Sequence, residues 1–171
     1  IGSSQTRLID SDSNVTVSSP GGNVGGLAGL VEGRISSSFA TGNVTGGARV
    51  GGLVGRYDPV SGGIHTSYAT GDVEADGASG EGFGGLIGES VAATITGDFI
   101  VNVYATGAID GHNETGGLIG YTDTDEEIEN AYAAGTVSGV NDTGGLVGNA
   151  SGTTSDDSYW DEARTGESSS A

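Results

Sequence analysis

Two histidines, no cysteine and 23 acidic side chains are the reactive groups this 171-residue chain offers. A zinc site needs three or four N, S or O ligands converging on one point. His65 and His112 stand in different sequence contexts with no Cys beside them, so both are expected as loop histidines. The run "DTDEEIEN" (123–130) has the carboxylate density of a calcium loop. An EF-hand requires Gly at loop position six and Glu at position twelve; counted from Asp123 these are Ile128 and Ala134, and the motif fails. Asp123, Asp125, Glu126, Glu127 and Glu129 are therefore expected as a solvated face. Glycoside hydrolysis needs two carboxyl groups at about 5 or 6.5–9.5 Å, one of raised pKa, and nothing singles out such a pair here. No G-x-S-x-G elbow is present. The expectation is a chain with no catalytic residues, no metal and no cofactor, and so not an enzyme.

Charge and composition exclude more. The net charge is −18, with five Arg and no Lys. Nucleic-acid binding needs a basic footprint, which is missing, and anionic membranes would repel such a surface. No apolar run approaches the roughly 20 residues of a membrane span, so direct membrane insertion is not expected. An acidic surface without Lys suits very salty water, where repulsion between carboxylates is screened within a few ångströms. Of eight Asn, five head an N-x-[ST] triplet: Asn14, Asn43, Asn113, Asn141 and Asn149. Chance would give about two, and the excess points to a secreted, glycosylated protein at the cell surface. A chain that begins at Ile1 rather than Met reads as a processed product or a fragment.

What must position these groups is a repeat. "SFATGNV" (38–44), "SYATGDV" (67–73), "VYATGAI" (103–109) and "AYAAGTV" (131–137) are versions of one phrase. "VGGLVG" (50–55), "FGGLIG" (83–88), "TGGLIG" (115–120) and "TGGLVG" (143–148) are versions of another, and "VGGLAG" (24–29) is a fifth. Aligned on Phe39, Tyr68, Tyr104, Tyr132 and Tyr159, the intervals are 29, 36, 28 and 27 residues. Such a period is the signature of a solenoid. Gly and β-branched residues in runs too short for two helical turns exclude helical repeats, and no segment of the chain reads as a helix. Three short strands per unit, each stacked on its equivalent, predict an all-β parallel β-solenoid of five to six coils with roughly 28 residues per repeat.

Three apolar rows follow from the alignment. Ile35, Ile64, Ile100 and Ile128 form one; Val44, Val73, Ile109 and Val137 a second; Leu27, Leu53, Leu86, Leu118 and Leu146 a third. Gly42, Gly71, Gly107 and Gly135 mark a sharp turn and are expected at φ > 0. Length variation is confined to arcs such as 74–82 and 89–103, which marks surface loops on a fixed scaffold.

"GGLVG" coupled to "SYATGDV" resembles the GLUG repeat of secreted and surface proteins, over about residues 24–171. The resemblance implies extracellular repeats of adhesin-like proteins and of some large secreted peptidases, and implies no catalysis by the repeats themselves. It divides the chain into an N-terminal segment (1–23) with a degenerate repeat serving as cap or donor strand, a solenoid (24–158), and a C-terminal tail or cap (159–171).

Phe39, Tyr68, Tyr104 and Tyr132 alternate with small residues, so either rings or small residues face inward. Solenoid cores usually want bulk, which favours the rings inside. Rings outside would make an aromatic ladder beside Thr41, Thr70 and Thr106, suited to surface carbohydrate, to other cells or to a partner subunit. Asn113 and Asn141 occupy equivalent positions in consecutive units and are expected to stack, with Asn14 and Asn43 related in the same way. Residues 1–17 carry Leu8, Ile9, Val15 and Val17 without a full repeat; paired with the C-terminal edge of the next molecule, they would build a head-to-tail homo-oligomer or filament. The expected function is a structural or adhesive protein of the cell exterior, with a non-catalytic region of a larger secreted hydrolase or peptidase as the alternative.

Overall fold

The computed structural model describes residues 7–77, 79–91, 99–123 and 127–171. Parallel strands stack into a β-solenoid of about five turns. Three sheets run its length. The first holds six levels: Leu8–Ile9 with Asp12–Ser13, Ile35–Ser36 with Phe39–Ala40, Ile64–Ala69, Phe99–Ala105, Glu127–Ala133, and Thr154–Asp156 with Tyr159–Trp160. The second holds five, beginning with Val17–Gly25 and Val44–Gly51 and ending with Val137–Ser138 and Asn141–Gly144. The third stacks Ala28–Val31, Val54–Tyr57, Ile87–Ser90, Ile119–Thr122 and Val147–Ala150.

Register explains why the repeat is so faithful. Ile35 pairs with Ile64, Ile64 with Ile100 and Ile100 with Ile128; Val44, Val73, Ile109 and Val137 pair in turn. A core residue therefore packs chiefly on copies of itself, and a change in one coil must suit the coils on both sides. Leu53, Leu86, Leu118 and Leu146 are buried between the first and third sheets, with Leu27 partly buried against the same cluster. A smaller cluster of Val24, Val44, Val50, Val73, Phe83, Ile109 and Val137 lines the second sheet.

The turn glycines are present for a different reason from the one expected. Gly42, Gly71, Gly107 and Gly135 do not have positive φ; among the described residues the positive-φ glycines are Gly62, Gly77, Gly82, Gly152 and Gly166. A Cβ on Gly71 would instead strike the carbonyl oxygen of Gly42, one on Gly107 that of Gly71, and one on Gly135 that of Gly107. Coils approach so closely at this corner that a side chain has no room. Beside it, the Asn43 side-chain oxygen accepts the Asp72 N–H at 3.1 Å, and the Asp72 carboxylate accepts the Ala108 N–H at 2.9 Å.

Left-handed backbone is carried by other residues, in two stacked columns. One is Asp10, Ser37, Thr66, Asn102, Asn130 and Asp157, with φ from 44 to 56°. The other is Asn23, Arg49, Gly82, Glu114 and Asp142. For an L-residue this conformation costs about 1–2 kcal/mol, so neighbours must enforce it. In the first column Asp10, Ser37, Thr66 and Asp157 are each followed by a Ser that does so. The Ser38 hydroxyl donates to the Ser36 carbonyl at 2.9 Å, and the Ser67 hydroxyl to the His65 carbonyl at 2.8 Å. The same Oγ atoms accept from the previous coil: Ser11 N–H donates to Ser38 and Ser38 N–H to Ser67, each at 3.2 Å.

The C-terminal end is covered beside Gly145 and Val147, and the first sheet keeps an open edge there. The inward column Ser13, Ala40, Ala69, Ala105 and Ala133 ends in Trp160. Its indole lies over Gly145 and donates from Nε1 to the Glu167 carbonyl at 2.9 Å. One helical turn, Glu162–Thr165, follows, although none was expected. Asp161 caps it by accepting from the N–H groups of Ala163 and Arg164. The tail then runs along the third sheet, where Gly145 N–H donates to Ser169 O and Ala171 N–H to Val147 O. At the other end, Leu8–Ile9, Asp12–Ser13 and Val17–Gly25 pair with the second coil of their own chain.

Candidate functional site

The longest repeated surface feature among the described residues is the aromatic column, and it faces outward. Its register runs Asp12, Phe39, Tyr68, Tyr104, Tyr132, Tyr159. Tyr104 is 38% exposed, Tyr132 40% and Tyr159 63%, while Phe39 and Tyr68 are half-buried. The small partners are the ones inside: Ser38, Ala40, Ser67, Ala69, Val103, Ala105, Ala131 and Ala133 are all buried. This reverses the orientation expected from bulk. The reason lies across the core, where a Cβ on Gly26, Gly52, Gly85 or Gly117 would touch Ala40, Ala69, Ala105 or Ala133 at 2.8–2.9 Å. The Gly-Gly corner meets the first sheet over a Gly–Ala contact, and inside the stack a gap that narrow admits no ring; the terminal level alone among the described residues sets one there, Trp160 over Gly145.

Outside, parallel in-register strands bring equivalent rings to the strand spacing of about 4.8 Å. Phe39 and Tyr68 stack with centroids 4.9 Å apart and planes within 1°; Tyr68 and Tyr104 stack at 4.7 Å and 4°. Each such pair contributes roughly 0.5–1.5 kcal/mol beyond its area burial. Burial, and then the charge of a Tyr68 phenolate, push the Tyr104 phenol above its ordinary value. Thr41, Thr70 and Thr106 are exposed two residues further along the strands, on the same face.

A second, polar strip lies where the second sheet turns into the third. Glu89 bridges Arg56 at 3.0 Å and Arg49 at 3.8 Å; Arg56 also meets Asp58 at 3.3 Å. Arg49 donates from Nε to the Asn23 side chain at 2.6 Å. Further along, burial raises the Glu114 carboxyl above its ordinary value, and Glu81, Asp142 and Glu89 push the same way; the amide of Asn149 opposes them by donating at 3.2 Å.

The other sequence-derived positions are scattered. His65 lies on the first sheet and His112 in the turn before Asn113–Gly116 of the second. Of the acidic cluster, Asp123, Glu127 and Glu129 are described and Asp125 and Glu126 lie outside the described residues. Among described residues no group of three His, Cys, Asp or Glu could hold a metal ion. Asn113 and Asn141 are direct neighbours, with the Asn141 amide donating to the Asn113 side-chain oxygen at 2.9 Å. Asn14 and Asn43 are not related in this way: Val17 pairs with Val44 and Ser13 with Ala40, which sets Asn14 beside Thr41 and Asn43 beside Thr16. Asn14 and Asn43 are exposed, and Asn149 is half-buried.

The model of the GLUG motif matches residues 20–45 and 111–138. The chain carries GLUG repeats. Each match contains the Gly-Gly pair of one coil, the aromatic strand and the Val after the turn, so it holds the Gly–Ala contact, the outward ring and the corner glycine together. No curated protein and no solved structure matches the chain.

Proposed function

We propose that this GLUG-repeat chain is a non-catalytic structural or adhesive module of the cell exterior, which associates with like copies of itself. One observation carries the reading: the residues repeated in every coil are those that pack, turn or stack, and no reactive group recurs with them. Ile, Val, Leu, Ala and Gly fill the interior columns, while the outward column repeats only rings. Phe39, Tyr68 and Tyr104 spend ring faces on one another, so that stretch of the ladder presents edges and hydroxyls. Docking a sugar ring on an aromatic face is left to the exposed Tyr132 and Tyr159. This favours the ladder as a stiffening spine and a hydroxyl-lined contact surface. The acidic, Lys-free composition and the five sequons support an exterior location in salty water.

A second reading follows from the GLUG motif: the chain as a non-catalytic region of a larger secreted hydrolase or peptidase. A catalytic motif such as H-E-x-x-H elsewhere in the parent chain would favour it. Location is tested by treating intact cells that carry the native protein with a Glu-specific protease. Peptides from this chain should be released before lysis; recovery only after lysis would overturn the exterior reading.

A further inference from the structure

The first sheet ends in two unpaired edges among the described residues, and the two edges match. Leu8–Ile9 with Asp12–Ser13 lies at one end, and Thr154–Asp156 with Tyr159–Trp160 at the other. Both keep the same internal spacing, the same left-handed residue (Asp10, φ 50°; Asp157, φ 44°) and the same following serine. The Ser11 hydroxyl donates to the Ile9 carbonyl at 3.1 Å, and the Ser158 hydroxyl to the Asp156 carbonyl at 2.9 Å. Inside the solenoid a hydroxyl posed this way accepts the N–H of the equivalent residue one coil earlier. Ser158 fills that role for the Ala131 N–H at 3.1 Å. Ser11 stands in the first coil, with no earlier coil described.

We propose that these edges join copies of this chain head to tail, the sixth level of one molecule pairing with the first level of the next. The inference rests on the self-association read above and names its junction. Interior bonds dictate the junction bonds. As Ser37 N–H donates to His65 O, Asp157 N–H donates to Ile9 O of the next copy, leaving the Asp156 side-chain oxygen that it meets at 3.1 Å in its own chain; as Ser38 N–H donates to Ser67 Oγ, Ser158 N–H donates to Ser11 Oγ; as Phe39 N–H donates to Ser11 O, Asp12 N–H donates to Ser158 O. The tail along the third sheet confines the junction to the first sheet.

The ends also carry a guard. Within the left-handed column the interior members Ser37, Thr66, Asn102 and Asn130 are neutral, and only the terminal Asp10 and Asp157 are charged. Stacking would set these two carboxylates in neighbouring levels, and charged side chains are a standard block on edge pairing. Repulsion over about 4.8 Å is well screened only when the Debye length falls to about 3 Å, near molar salt. Association is therefore a high-salt event, controlled by two residues.

The test uses the full chain, which has no cysteine. Asp10 and Asp157 lie five levels apart in one molecule, roughly 24 Å, too far for a bridge. Across the junction their Cα atoms stand at about 4.8 Å, within disulfide range. Oxidised in molar salt, the D10C/D157C variant should give a ladder of covalent multimers, whereas D10C or D157C alone stops at dimers. In sedimentation velocity, D10N/D157N should associate at a several-fold lower salt concentration than the native chain. If the native chain associates but the double-cysteine variant gives only dimers and the Asn variant keeps the native threshold, the junction is wrong and self-association stands. Native chain and D10N/D157N both monomeric at every salt concentration would overturn both.

Discussion

Replacing Gly107 with Ala tests why the corner glycines are there. A Cβ at Gly107 would sit against the carbonyl oxygen of Gly71 in the preceding coil, inside van der Waals contact by roughly 1 Å or more. Backbone cannot swing aside, so the two coils must part locally. Three bonds hold them there: Thr106 N–H to Ala69 O (3.2 Å), Val73 N–H to Ala108 O (2.8 Å) and Ala108 N–H to the Asp72 carboxylate (2.9 Å). At a net contribution of about 1 kcal/mol each, losing them costs about 3 kcal/mol. For a domain of this size that lowers the melting temperature by roughly 6–12 °C. Gly21→Ala is the control, since the nearest atom to its Cβ is Ser19 Oγ at 3.5 Å; it should stay within about 0.5 kcal/mol of native. Circular dichroism melts of both variants, with Gly107→Asn beside them, read the result. Asn is well tolerated in left-handed backbone, so a Gly107→Asn protein that melts with the native chain would refute the close-approach argument.

Four further outcomes are expected. Tyr68 stacks on both Phe39 and Tyr104, so a double-mutant cycle of Tyr68→Ala and Tyr104→Ala should return a coupling of about 0.5–1.5 kcal/mol; no coupling would make the ladder incidental. Glu114 is held above its ordinary pKa, so its folded form is favoured while protonated and that advantage is lost as pH rises through the raised value. Glu114→Gln should therefore raise the melting temperature at neutral pH and lose the gain in acid. Because acids outnumber Arg by 18, the native melting temperature should rise between dilute buffer and molar salt, and a flat curve would count against adaptation to brine. Glycopeptide mapping should find uneven occupancy at Asn113 and Asn141, which are paired neighbours; equal full occupancy of both would show that their stacking imposes no limit.

Much of the solenoid was legible because a stacked fold writes the same core residue once per coil. The Ile, Val and Leu rows and the parallel stacking follow from that repetition, whereas the arc expected as a loop over 89–103 ends in the strand Phe99–Ala105 and its residues 92–98 lie outside the described residues. Ring orientation was not read correctly, although the signal existed. Ala after the first four aromatics, in a chain that also keeps a Gly-Gly pair in every coil, marks a stack too thin inside for a ring. The corner glycines misled because a missing Cβ serves positive φ and close approach equally, and sequence does not separate the two. Left-handed columns were hidden among ordinary residues. Asn102, Asn130, Asp10, Asp157 and Asp142 are types that tolerate it, but Ser37, Thr66 and Arg49 give no such sign, since their coil neighbours impose the conformation. The helical turn at Glu162–Thr165 is too short for any periodicity and shows only in its Asp161 and Gly166 caps.

The most direct test of the account is cryo-electron microscopy of the chain in molar salt. A stacked structural module predicts end-to-end particles in which the first sheet runs through each junction at a coil spacing of about 4.8 Å, rings outward along one line. Single, dispersed solenoids at every protein concentration, or rings turned into the core, would contradict it.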